Sequence, residues 1–126
     1  MRPQDCALFL FLALFLPRCA SAPGTPPAEG DPTAECPAGL PDCPTSAPSY
    51  QDVVEPIILS RCLGCHYQGN HNSSQVLETY EQVHASVSLV EKEVYRCEMP
   101  PSGEPSLNED ERAALLQWLV CGGPNN

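Results

Sequence analysis

The chain has 126 residues, among them 15 prolines and 8 cysteines, and a formal charge of −10 from 6 Lys and Arg against 16 Asp and Glu. That length holds one domain, and the acidic balance repels phosphate backbones and anionic membrane surfaces, which argues against nucleic acid and leaves basic or small neutral partners. Cysteine falls short of the roughly 8–10% that marks a pure disulfide scaffold, so some of the thiols are expected to have other work.

Residues 1–19 read as a secretory signal. Met-Arg-Pro-Gln-Asp is followed by an unbroken apolar run from Cys6 to Leu16, and the small residues Ala20, Ser21 and Ala22 come next. The run is too short to span about 30 Å of hydrocarbon, but it matches a signal core. All three phenylalanines (Phe9, Phe11, Phe15) lie in it, so the folded part must build its core without phenylalanine. Export implies an oxidising compartment. Two readings of Cys19 stand side by side: a lipidated cysteine, with Leu16 at the fitting position but Arg18 at a poor one, or removal by cleavage among Ala20–Ala22.

Residues 20–48 read as a linker. Eight of these positions are proline, and none is valine, isoleucine or aromatic, so nothing here can bury a core. Cys36 and Cys43 interrupt it, and a local disulfide closing a small loop is the expected pairing, contributing about 2.5 kcal/mol in the chain-entropy model. A metal site there would want two further nearby ligands.

Residues 49–126 read as an all-α domain of four short helices. Tyr50, Val53, Val54, Ile57 and Ile58 follow the spacing of an amphipathic helix, with Pro56 expected to kink it or begin its second half. Residues 67–74 are a polar loop. Thr79 with Gln82 forms a capping box for a helix through about Ala85, and Ser88 with Glu91 is expected to repeat the device. Pro100, Pro101, Gly103 and Pro105 impose an irregular loop. Asn108 with Glu111 starts a last helix, ended by Gly122, Gly123 and Pro124, with Leu115, Leu116, Leu119 and Val120 as its buried stripe and Trp118 flanking.

The chemistry sits in Cys62-Leu63-Gly64-Cys65-His66. Two thiols one helical turn apart can each add to a vinyl group of the same haem, and the next residue places an imidazole at the iron. Against this stand a thioredoxin-like redox pair, which would need βαβ patterning, and a zinc site, which would need a second close ligand pair. A second axial ligand is expected in Met99. Apart from Met1 it is the only methionine, and Pro100 and Pro101 stiffen the loop that carries it. A lone Met in a polar loop is a poor core residue. His71 and His84 are the competing ligands, the one in a polar loop and the other on a short helix.

From about Tyr50 to Gly123 the chain resembles small bacterial class I cytochromes c. The matching residues are Val54-Glu-Pro-Ile-Ile58 leading into the Cys-Leu-Gly-Cys-His motif, then Met99-Pro-Pro, then Trp118-Leu-Val-Cys-Gly122. The resemblance implies one covalent haem c held through Cys62 and Cys65, with His66 and Met99 as the iron ligands, and first and last helices crossing beside the haem edge. It departs from the pattern in lacking the Gly-x-x-x-aromatic spacing of the first helix and in having Tyr67 after the histidine. Cys97 and Cys121 are additional, and a disulfide between them is expected to pin the methionine loop to the last helix.

The expected function is therefore extracytoplasmic transfer of single electrons between redox partner proteins, with no acid, base or nucleophile required and hence no enzyme. Glu91, Glu93, Glu98, Glu104, Glu109, Asp110 and Glu111 are expected either to steer a basic partner or simply to keep the chain soluble. The expected location is the periplasm or a membrane-tethered position through a lipid on Cys19. A haem-based sensor, a subunit of a larger oxidoreductase and a disulfide-rich binding module without haem are the rival readings. The core lacks phenylalanine, so a bound haem is expected to supply the missing apolar surface and the haem-free chain to be largely unfolded.

Overall fold

The computed structural model describes residues 36–70 and 74–126. The expected signal, the first part of the expected linker and His71 lie outside the described residues. Among the described residues the regular structure is entirely helical, as expected, and no helix is long and apolar enough to cross a membrane.

The first helical stretch, residues 50–62, is continuous but not uniformly α. A π-helical piece, Tyr50–Val54, runs into a short α-helix α1, Glu55–Ile57, and then into a second π-helical piece, Ile58–Cys62. Its wide turns show in the bonds Val54 N to Ser49 O (3.2 Å) and Leu63 N to Ile58 O (3.0 Å), each five residues back. Pro56 lies in the first turn of α1. It has no N–H to offer and its ring crowds the carbonyl one turn earlier, so a widened turn precedes it and Pro56 begins the next part of the stretch, one of its two expected roles. Tyr50, Val54, Ile57 and Ile58 are buried, as their spacing predicts.

Helix α2, Tyr80–Ala85, carries the expected capping box: Thr79 accepts from the Gln82 amide, and Gln82 Oε1 accepts from Thr79 N. The second expected box does not form. Helix α3, Val87–Tyr95, begins immediately after α2, with Ser86 serving both, and Ser88 lies inside it. The Ser86 hydroxyl bonds Gln75 Oε1 at 3.1 Å instead of capping. Helix α4, Glu109–Val120, has the expected Asn108/Glu111 box.

Helices α3 and α4 both end in the same motif, with different residues. After α4, Gly122 N bonds Leu119 O (2.9 Å) and Gly123 N bonds Trp118 O (3.1 Å), with Gly122 at φ 81 and Gly123 at φ 66. After α3, Cys97 N bonds Val94 O (3.2 Å) and Glu98 N bonds Glu93 O (2.9 Å), with Cys97 at φ 57. This is the Schellman arrangement, whose left-handed residue is usually glycine. A cysteine there costs about 1–2 kcal/mol.

The core replaces phenylalanine with Trp118 and Tyr50. Trp118, expected at the flank, is fully buried, with its ring 5.6 Å from Tyr50 and its indole N–H donating to Pro124 O at 2.9 Å. It turns inward because α4 packs against both α3 and the first helical stretch, so a wider arc of α4 is covered than one stripe. Val120 is only half-buried. Tyr50 also stacks edge-on against Tyr80 at 4.9 Å, and Tyr80 donates to Gly123 O at 2.9 Å. The start of the first helical stretch meets Asn126 here: Tyr50 N donates to the Asn126 side chain at 3.1 Å.

Neither expected disulfide pairing holds. The bridges are Cys36–Cys97 and Cys43–Cys121. Residues 36–48, read from the sequence as linker, are thus bonded to the helical domain at the end of α3 and at the end of α4. Seven residues of extended chain reach about 23 Å, enough for one short segment to visit both helix ends. The bridges close spans of 61 and 78 residues, which in the chain-entropy model contribute about 4 kcal/mol each, more than the expected local loop, though overlapping rings do not add. Disulfides persist in oxidising compartments, so the two bridges agree with an exported chain.

A Cβ built on Gly123 would stand 2.7 Å from Val87 Cγ2 and 2.9 Å from Trp118 Cη2, at a positive φ. Gly123→Ala is expected to lower stability by about 2–3 kcal/mol in chemical denaturation, whereas Gly122→Ala, which meets no neighbour, loses only the conformational part, about 1 kcal/mol.

Candidate functional site

The first helical stretch delivers Cys62, Cys65 and His66 to one place. Beyond Cys62 the chain closes into a tight turn, with Cys65 N and His66 N both bonding Cys62 O, at 3.1 and 3.0 Å. The turn is then fastened from the far side of the following loop. Asn70 Nδ2 donates to Cys65 O at 2.7 Å, Leu77 N donates to His66 O at 2.8 Å, and His66 Nδ1 lies 3.0 Å from Gln75 O. A carbonyl can only accept, so Nδ1 carries a proton, and in the neutral imidazole the lone pair is then on Nε2. Orientation of a ligating imidazole by a backbone carbonyl is the usual arrangement around metal-binding histidines.

These residues line a cavity of about 450 Å³. Leu77, Val94 and Leu107 give it a buried apolar lining, with Leu89 and Val90 of α3 beside them. Met99, Pro100 and Pro101 contribute from the loop after α3. Close-packed cores leave few voids larger than a water molecule, whereas ligand sites run from roughly 300 to 1,000 Å³. The cavity is thus of a size to receive a bulky, mainly apolar group. All four residues singled out in the sequence, Cys62, Cys65, His66 and Met99, meet on it. His84 does not: it is exposed on α2, with its ring 5.4 Å from that of Tyr80.

Three charged side chains also lie on the lining: Glu93 and Glu104, two of the acidic groups expected to steer a partner, and Arg61, which was not anticipated from the sequence. Arg61 follows Ile57 and Ile58 at helical spacing, which places it on the same buried face and was the signal available. Its guanidinium meets Glu111 of α4 with Nε 3.1 Å from both carboxylate oxygens and Nη2 2.9 Å from Oε1, and its side chain is 5% exposed. Glu111 Oε2 also accepts from Asn108 N at 3.0 Å, so one carboxylate serves both the ion pair and the α4 cap.

Cys62 and Cys65 are free thiols. Burial, reinforced by the neighbouring Cys65 and the Glu111 carboxylate, pushes the Cys62 thiol up to about 11. A disulfide oxidoreductase needs the opposite, a thiolate stabilised near neutral pH. Among the described residues no group of three or more His, Cys, Asp or Glu side chains is gathered to hold a metal ion. Two thiols, one imidazole and one thioether are the soft donors that the cavity lining presents.

Removing the Glu111 side chain takes the carboxylate from a buried guanidinium and half of the capping box from α4. Glu111→Ala is expected to cost about 3–5 kcal/mol in denaturant unfolding, and Glu111→Gln, which can still cap, about 1–3 kcal/mol.

No family model, curated protein or solved structure matches the chain.

Proposed function

We propose that the chain is an exported monohaem c-type cytochrome that carries single electrons between partner proteins. The observation that supports this most is the convergence of Cys62, Cys65, His66 and Met99 on one cavity, with His66 already oriented through Nδ1. Cys62 and Cys65 would hold the haem as thioethers, each sulfur adding to one vinyl carbon while the thiol proton goes to the other. His66 Nε2 and the Met99 thioether would be the iron ligands. When bound, the haem supplies a one-electron Fe(III)/Fe(II) couple, whose potential a Met/His pair sets toward the positive side.

The protein's own part is to bind, orient and exclude water. Gln75 fixes the imidazole tautomer, and Pro100 and Pro101 restrict the backbone that carries Met99. Leu77, Val94 and Leu107 keep the surroundings of the donors apolar. No acid, base or nucleophile is required of any residue. Glu93 and Glu104 on the cavity lining, together with the overall acidity, favour a basic redox partner through electrostatic steering. The location this reading implies is the periplasm, free or tethered through Cys19.

Protein matured in an export-competent host should show a Soret band that survives denaturation and acid–acetone extraction, and Cys62→Ala with Cys65→Ala should abolish that retention. Retention of no haem by the wild-type chain would refute the reading in favour of a disulfide-rich binding module. Met99→Ala should remove the weak long-wavelength charge-transfer band of methionine-bound Fe(III). Carbon monoxide binding by the reduced wild-type protein would instead indicate a sensor. Haem-free protein should lose most of its helical circular dichroism.

A further inference from the structure

The two disulfides attach the same segment to two helix ends, yet those ends differ in what else holds them. We propose that the Cys36–Cys97 bridge is a positioning device for Met99, whereas Cys43–Cys121 is not, so that opening the first releases the Met99 segment from the cavity while the helices and the Cys62–His66 wall stay in place. The inference rests on the reading of Met99 as a ligand.

Cys97 stands two residues before Met99, in the left-handed conformation that glycine usually supplies at the end of a helix. The cap it forms governs the direction of the following chain. Glu98 N and Met99 N both donate to Glu93 O, at 2.9 and 3.2 Å, so the Met99 backbone is placed by the same carbonyl that closes α3. Between the buried side chains of Val94 and Leu107 no residue is buried, and residues 101–105 are exposed. Within α3, Arg112 Nη1 holds Val94 O at 2.7 Å, and beyond the helix the covalent tie at Cys97 is the anchor at the start of this loop. The end of α4 is built otherwise. Its cap uses Gly122 and Gly123, which adopt positive φ without strain, and it is held further by Tyr80 Oη to Gly123 O and by the indole of Trp118 to Pro124 O. Removing Cys43–Cys121 leaves all of these contacts in place.

Opening a bridge takes two electrons and two protons. A phosphine and water supply them, the phosphine becoming its oxide and each sulfur a thiol.

The test uses the full chain matured in an export-competent host and compares Cys36→Ser/Cys97→Ser with Cys43→Ser/Cys121→Ser. Hydrogen exchange of the bonded amides at 98, 99 and 104 should accelerate about tenfold or more in the first variant and stay near the wild-type rate in the second. Only the first should lose the methionine–Fe(III) band and bind carbon monoxide when reduced, while both retain haem through acid–acetone extraction. Equal behaviour of the two variants, or unchanged exchange in the first, overturns the proposal. If the wild-type chain carries no covalent haem, the cytochrome reading fails by itself, and the exchange comparison still decides the role of the bridge. Should a serine variant fail to fold, partial reduction of the native protein by a phosphine, with the opened pair identified by alkylation and peptide mapping, gives the same comparison without substitution.

Discussion

The contact between Arg61 and Glu111 ties the last turn of the first helical stretch to the first turn of α4, and the placement of the cavity follows from it. Arg61 is the residue immediately before Cys62, so wherever its guanidinium is fixed, the Cys62–His66 turn must begin. Two charges taken largely out of water are costly, and the geometry offsets that cost with three short contacts from one guanidinium and a further amide bond to the same carboxylate. The pair is thus less a source of net stability than a registration point. It sets how far the first stretch runs before turning, and with it where two thiols and an imidazole come to lie.

A second buried arginine makes the contrast plain. Arg112 donates from Nη1 to Val94 O at 2.7 Å, while its Nε is buried without a partner. Burial depresses its affinity for the proton. Its bond reaches the carbonyl of the same Val94 that lines the cavity and accepts from Cys97 N, so α4 holds the end of α3 by a charged group as well as by packing. Both arginines serve the same purpose from opposite sides, each fixing an element that contributes to the cavity.

Much of this architecture could be read from the residues alone, where a short-range rule governs. The capping boxes at Thr79 and Asn108, the glycine stop after α4 and the buried face of Tyr50, Val54, Ile57 and Ile58 depend on neighbours within one or two turns, and all are present. Where a distant contact decides, the sequence was silent or misleading. Ser88 and Glu91 have the spacing of a cap, but α3 begins two residues earlier, at Val87, and Ser86 before it bonds Gln75. Trp118 is buried because two elements cover α4, which its own periodicity does not reveal. The disulfide pairing is the clearest case, since nothing in a proline-rich segment without large apolar side chains signals which helix ends it will lie against. For the candidate site, the four donors were legible because a chemical motif and a lone methionine mark them. Arg61, Gln75 and the ion-pairing role of Glu111 were not, because they hold those residues from elsewhere in the chain.

The crossed connectivity bears on how the chain could reach this state at all. Six cysteines lie beyond the expected signal, and six thiols can pair in fifteen ways. Cys62 and Cys65, nearest neighbours on one turn, are the pair that random oxidation would join most readily. Converting them to thioethers first would leave four thiols with three pairings, and Cys36 and Cys43 would then find partners on helix ends already gathered around a filled interior. On the proposed cytochrome reading, haem attachment would in this way act as a proofreading step for oxidation, and the order of the two covalent reactions would decide the yield of native protein.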